Sequence, residues 1–284
     1  MHPDILALYD DYTHRPLSRA VFLERLAKIA GGTGAALALL PLLESNYAHA
    51  RVAPTDRRLS GAYITYPAGE VQMRAYLAIP EGQGPWPAVV VIHENRGLNP
   101  HIEDVTRRVA LAGFIGLAPD ALSPLGGTPA DADQARGMFQ QLDGPTTVQQ
   151  FAAAYPYLAA RADCTGAFGC VGFCWGGAMA NNLSVAVPTL KAAVPFYGRQ
   201  APLEDVPRIK AALQLHYAET DERINAGIDA YRAALEQHGI EHQIYTYPGT
   251  GHAFHNDTST ARYNPEAAKL AWARTIAFFE AKLK

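Results

Sequence analysis

Ala167-Phe168-Gly169-Cys170-Val171-Gly172-Phe173-Cys174-Trp175-Gly176-Gly177 decides how this chain is read. The apolar run ending at Phe173 has the character of a buried strand, and the residues from Gly176 to Leu183 can begin a helix. A strand that turns sharply into a helix at a nucleophilic side chain flanked by glycines is a nucleophile elbow, here presenting the thiol of Cys174. The backbone at such a nucleophile is strained, and side chains at Gly172 or Gly176 would collide with the neighbouring strand and helix. The competing reading is a buried structural cysteine, since free cysteine is among the most buried residue types.

An elbow of this kind requires an acid and then a histidine further along the chain. Ala211–Ala218 reads as a buried strand, with Glu219-Thr220-Asp221-Glu222 just past its C-terminal end. Residues 241–247 alternate like a strand and open into Pro248-Gly249-Thr250-Gly251-His252-Ala253-Phe254. Cys174, Asp221 and His252 therefore fall at strand C-terminal ends, the edge where open α/β sheets build their sites. In that arrangement His252 takes the thiol proton, or holds a thiolate–imidazolium pair, while Asp221 fixes its tautomer. Placement at a helix N-terminus further favours the thiolate. An oxyanion hole is also needed. The backbone N–H of Trp175 is one expected donor. The second is expected from the loop His93–Leu98 that ends the apolar strand Pro87–Ile92, with Asn95 best placed to supply it.

The rest of the chain alternates regularly. Gly61–Tyr66 and Val71–Ile79 flank Pro67-Ala68-Gly69-Glu70 as a hairpin. Strands are expected at 88–93, 114–119 and 192–197, with helices at 102–112, near 130–142 and 146–161, at 222–238, and from Pro265 to the end. This order predicts an α/β fold: a doubly wound, mostly parallel sheet with an antiparallel N-terminal edge. It divides the chain into an N-terminal extension, 1–58, and one domain, 59–284, with segment 120–145 expected to wall the pocket.

Four motifs together resemble the dienelactone hydrolase (carboxymethylenebutenolidase) family of cysteine α/β-hydrolases. They are His93-Glu94-Asn95-Arg96-Gly97, Gly172-Phe173-Cys174-Trp175-Gly176-Gly177, the Asp221 segment, and Pro248-Gly249-Thr250-Gly251-His252-Ala253-Phe254. The resemblance covers roughly residues 60–284. It implies the α/β-hydrolase fold, no cofactor, and cleavage of a small-molecule carboxylic ester or lactone by a monomer or homodimer. It also implies that Glu94 sits against the resting cysteine and helps switch it between thiol and thiolate. One departure bears on substrate. Dienelactone-cleaving members carry an arginine four residues after the histidine, whereas this chain has Asn256 there, kept with Arg136 as a candidate substrate contact. Arg136 lies near the place of a second expected arginine but out of register. An Arg–carboxylate fork is geometrically particular and asparagine does not replace it. A broader esterase or thioesterase for uncharged acyl groups is thus the alternative, and a catalytically silent binding module a remoter one. Tyr197, Trp175 and Phe254 are candidate pocket aromatics that could equally be core.

Composition agrees with one well-packed domain: 284 residues, 49% hydrophobic, with a net charge of −3. Scattered Lys and Arg give no basic stripe for nucleic acid. Three cysteines make no disulfide framework, and no Cys/His spacing points to a metal. Residues 17–43 followed by Ala48-His49-Ala50 have the outline of a degenerate twin-arginine export signal. The alternative is a helical arm packed on the domain, so the expectation stands between periplasm and cytoplasm. The apolar run, broken by Pro41, is too short to span a bilayer.

Overall fold

Polar–apolar alternation over Leu59–Ala68 (β1) and Val71–Pro80 (β2) produces an antiparallel hairpin in full register, Leu59 opposite Pro80 and Ala68 opposite Val71. Gly69, at φ +64°, makes the two-residue turn that a β-carbon would strain. The computed structural model describes residues 1–44, 46 and 50–284. The cleavage-like residues Ala48 and His49 lie outside the described residues.

Largely apolar runs form the inner strands, which are buried on both faces, while the last strand, His242–Tyr247, is a polar, partly exposed edge. The strands are β3 (Trp86–Ile92), β4 (Ile115–Pro119), β5 (Cys164–Phe173), β6 (Leu190–Phe196), β7 (Ala212–Ala218) and β8 (His242–Tyr247). The eight strands lie in the order β1-β2-β4-β3-β5-β6-β7-β8, parallel from β4 onward. The doubly wound sheet with an antiparallel edge is therefore present as expected.

Ahead of the sheet come α1 (Pro3–His14), α2 (Arg19–Ala30) and α3 (Thr33–Leu43). The domain helices are α4 (Pro100–Leu111), α5 (Ala132–Met138), α6 (Gly144–Ala152), α7 (Ala154–Ala159), α8 (Trp175–Ala186), α9 (Glu222–Asn225), α10 (Ile228–Gln237) and α11 (Pro265–Leu283). Ile102, Val105 and Val109 of α4 join Ala271, Phe278 and Phe279 of α11 on one face of the sheet. Phe151, Leu158, Met179, Leu183, Tyr231 and Leu235 from α6, α7, α8 and α10 cover the other.

Two expected helices are divided. The stretch 222–238 breaks at Gly227, because Gln200 packs where a β-carbon would sit, its Oε1 within 2.5 Å, and its Nε2 bonds the Ile224 carbonyl at 3.1 Å. The stretch 146–161 is α6 followed by α7.

The N-terminal helices form their own cluster around Tyr9, Tyr12, Phe22 and Leu26, and they dock on the domain. Ala261 N–H donates to Leu42 O, Ser259 Oγ to Leu43 O, and Asn46 N–H to Thr258 O. Arg19 bridges Glu44 and Asp133. Helices α2 and α3 meet at 110°, and no single helix among the described residues is long and apolar enough to cross a membrane.

Candidate active site

Cys174 stands between β5 and α8 with φ +57° and ψ −112°, a conformation that L-residues rarely adopt. The glycines around it are dictated by backbone contact. A β-carbon on Gly172 would lie 1.9 Å from the Gly176 carbonyl oxygen, and one on Gly176 2.4 Å from that of Ile92. Strand and helix thus approach too closely for any side chain, and the turn throws the sulfur to the rim of the sheet. As the residue capping a twelve-residue helix, Cys174 faces the positive end of its dipole.

Neighbouring strands deliver the other two groups. Strands β7 and β8 run in register to Ala218 opposite Tyr247, and their loops are then tied together. Thr220 N–H and Oγ1 both donate to Thr250 O at 3.1 Å, and Glu219 accepts from Gly249 N–H at 2.8 Å. This brings Asp221 Oδ2 to 2.5 Å from His252 Nδ1, both groups buried. A carboxylate can only accept here, so Nδ1 carries the proton and Nε2 is left to face the sulfur.

A third imidazole also reaches the sulfur. His14, the last residue of α1, places Nε2 3.1 Å from Cys174 Sγ. Its Nδ1 lies 2.9 Å from the Asp10 carbonyl oxygen and 3.0 Å from the Asp10 carboxylate, and its ring meets that of His252 edge-on at 4.5 Å. Burial alone would push the Cys174 thiol up, but the charges of His14 and His252 outweigh it and pull the thiol well down. Burial works against charging His252 as well, and is outweighed by the sulfur's charge and the Asp221 hydrogen bond, which raise it. Burial opposes charging His14 too, and the sulfur's charge together with Asp10 raises it on balance. The side-chain donor atoms of His14, Cys174 and His252 all lie within 4.8 Å of one another. No sequence spacing could show it, because His14 lies 160 positions from Cys174.

The other expected site residues divide into several roles. Glu94 is buried, and its Oε2 accepts from Asn256 Nδ2 at 2.8 Å; the hydrogen bond to the resting sulfur comes from His14. Asn95 lines both cavities at the sulfur and donates its side-chain amide to Thr13 O at 2.6 Å. The Trp175 ring stacks on His93 and packs against Phe139, while its backbone N–H opens α8. Tyr197, at φ +37°, lines the cleft 5.0 Å from the His252 ring. Phe254 and Asn256 line neither cavity at the sulfur. Phe254 is fully buried among Phe196, Tyr197 and Tyr247, and Asn256 holds Glu94 and Thr258. Substrate contact by these two is therefore corrected to a supporting role. Arg136 does line the cleft, but its guanidinium lies over the Tyr12 ring and donates to the Tyr12 and Leu17 carbonyls, clasping the arm.

Two cavities of about 650 and 610 Å³ meet at the sulfur, sharing Thr13, His14, Asn95, Arg136, Cys174 and His252. Asp131, Asp133 and Arg136 wall the first and Phe139 the second, as expected of segment 120–145. Sequence reasoning missed His14, Asp10 and the half-buried Arg262, which lies over Tyr9. The available signal for the first pair was a histidine four residues after an aspartate on one helix.

A doubly wound sheet with a nucleophile elbow on its central strand and a His–Asp pair on later loops defines a hydrolase of the α/β class. The chain belongs to the dienelactone hydrolase family, whose model matches residues 73–283. A Synechocystis sp. protein named "Putative carboxymethylenebutenolidase" is 31% identical over 239 residues, covering 78% of this chain and 96% of that protein. A Bradyrhizobium sp. protein named "Probable 2-oxo-3-(5-oxofuran-2-ylidene)propanoate lactonase" is 33% identical over 221 residues, covering 72% and 87%. The Klebsiella pneumoniae structure described as "Putative Dienelactone Hydrolase" superposes with a TM-score of 0.71 at 27% identity, covering 78% of this chain and 98% of that one. This chain is a hydrolase acting on esters or lactones.

Proposed function

We propose that the chain hydrolyses a carboxylic ester or lactone without a cofactor, through a Cys174–His252–Asp221 triad and an acyl-thioester intermediate. The observation that carries this is the 2.5 Å contact between Asp221 Oδ2 and His252 Nδ1 beside a sulfur held at the elbow. Cys174 attacks the carbonyl carbon, and the charge that develops on oxygen is met by backbone amides, Trp175 N–H among them. His252 then draws a proton from water, which releases the acid and frees the sulfur. A slowly deacylated ester, quenched in acid, is expected to leave its acyl mass on the peptide containing Cys174. Undiminished turnover by Cys174→Ala removes the reading.

The larger cavity gives an acyl anion no net attraction, whereas the smaller is lined by Arg15, Arg136, Arg199 and Arg223 with no carboxylate among its lining residues. The larger cavity holds Arg19, Arg96, Arg136 and Arg262, but also Glu44, Glu94, Asp131 and Asp133. Arg19, Arg96 and Arg136 are paired with Asp133, and Arg19 also with Glu44. Four cations balanced by four carboxylates give no net pull on a substrate anion. Turnover of a neutral ester at least equal to that of its carboxylate analogue assigns the acyl group to the larger cavity, and a strong preference for the anion assigns it to the smaller, arginine-lined one.

A further inference from the structure

We propose that His14, oriented by Asp10, is a second catalytic imidazole, which holds the resting thiolate and gives its proton to the departing alcohol. The inference rests on the triad reading above and adds a residue from outside the family-matched region, 73–283, to it.

The geometry carries it in three steps. First, two imidazole–carboxylate pairs converge on one sulfur: His252 with Asp221, and His14 with Asp10. The Asp10 carbonyl can only accept, so His14 Nδ1 keeps its hydrogen and Nε2 is the atom that exchanges a proton at the sulfur. Second, the two rings are not equivalent. The sulfur's 3.1 Å hydrogen bond is to His14, whereas His252 Nε2 is buried without a partner at hydrogen-bond geometry among the described residues. His252 is thereby left free to serve water. Third, His14 lines both cavities that meet at Sγ, so a leaving group departing into either passes its Nε2.

The steps balance. The thiolate forms the C–S bond and the carbonyl π pair moves to oxygen. On collapse the C–O bond to the leaving group breaks, and that oxygen takes the proton from His14 Nε2. Alcohol, acyl-thioester and two neutral imidazoles result. Water then gives a proton to His252 as it attacks the thioester, and the C–S bond breaks to return the thiolate. The proton on His252 passes to His14 across the sulfur, and the carboxylic acid releases its own to solvent.

The test compares His14→Gln and Asp10→Asn with the parent chain on two acetate esters, one of ethanol and one of p-nitrophenol. Ethoxide must be protonated to leave, whereas p-nitrophenolate departs as the anion. The expected result is a loss of about 10²–10⁴ in kcat for ethyl acetate in His14→Gln, within the range for one proton-transfer group. The p-nitrophenyl ester should lose about tenfold or less, and Asp10→Asn should fall between, with the same leaving-group bias. Added imidazole should restore ethyl acetate turnover to His14→Ala, which a misfolded protein would not permit. Equal losses on the two esters, or a gain of activity in His14→Gln that shows the arm to be an inhibitory plug, would overturn the proposal. Failure of the triad reading itself looks different: Cys174→Ala would then keep both activities.

Discussion

Asp221 Oδ2 and His252 Nδ1 lie 2.5 Å apart at the ends of adjacent parallel strands, and both side chains are sealed from solvent. The carboxylate accepts the Nδ1 proton and holds the ring in the tautomer that offers Nε2 to the sulfur. Asp221→Asn presents an amide that can donate, and so selects the opposite tautomer without changing the shape of the site. The expected outcome is a fall in kcat of about 10²–10⁴ with KM nearly unchanged. Steady-state kinetics on a p-nitrophenyl ester measures it, and a loss smaller than threefold would mean that the pair is only structural.

The sulfur's ionisation gives a pH prediction. Burial pushes the thiol up, but His14 and His252 together pull it to about 6, and His252 is raised to about 10 against its burial by the sulfur's charge and Asp221. A lowered thiol is ionised above that value, so alkylation by iodoacetamide should rise through about pH 6 and stay flat toward pH 10. Removing the positive charge of His14 lets burial act more strongly, so the onset in His14→Gln should move to higher pH. Stopped alkylation with intact-mass detection reads both midpoints, and an onset unmoved by the substitution contradicts this account.

The fold was legible because its signals are local. The apolar runs at β3, β5, β6 and β7 are strand-length and bounded by glycine, proline or turn residues, and the glycines of the elbow are required by contacts inside a single turn. Cys174, Asp221 and His252 were legible from their order on that frame. His14 was not, because nothing within α1 shows that its last turn will lie on a sulfur 160 residues away. That encounter depends on tertiary docking by Tyr12, Arg19 and Arg136. Asn256 was misread for a similar reason. Its position after His252 points toward substrate, yet a buried Glu94 takes its amide. The break at Gly227 also needed a distant partner, Gln200.

Gly172 tests the elbow as a packing device. The Gly176 carbonyl oxygen and the Gly177 nitrogen lie 1.9 and 3.0 Å from where its β-carbon would be. These are backbone atoms of α8, so a methyl group there can be accommodated only by moving the helix off the sheet. Gly172→Ala should destabilise the domain by about 3 kcal/mol or more, at the upper end of overpacking costs. Gly137→Ala is the matched control, since nothing lies within 4 Å of its added carbon. Urea unfolding of the two variants should separate them clearly, and similar midpoints would show that the helix yields without strain.

Arg136 tests whether the arm is held where the chemistry needs it. Its guanidinium lies over Tyr12 and donates to the carbonyls of Tyr12 and Leu17, on either side of His14. Replacing it with alanine removes a cation–π contact and two charge-assisted hydrogen bonds from a partly buried site, a loss of about 2–4 kcal/mol in docking. The domain core contains no part of that contact, so global unfolding should change little while the arm loosens. Hydrogen exchange in residues 3–14 should then rise, and Cys174 should alkylate more slowly near neutral pH because His14 has moved off the sulfur. KM for a small neutral ester should stay within about threefold, since Arg136 is engaged with the arm and with Asp133. A large rise in KM with unchanged alkylation would instead make Arg136 a substrate contact, as its approximate place in the sequence had implied.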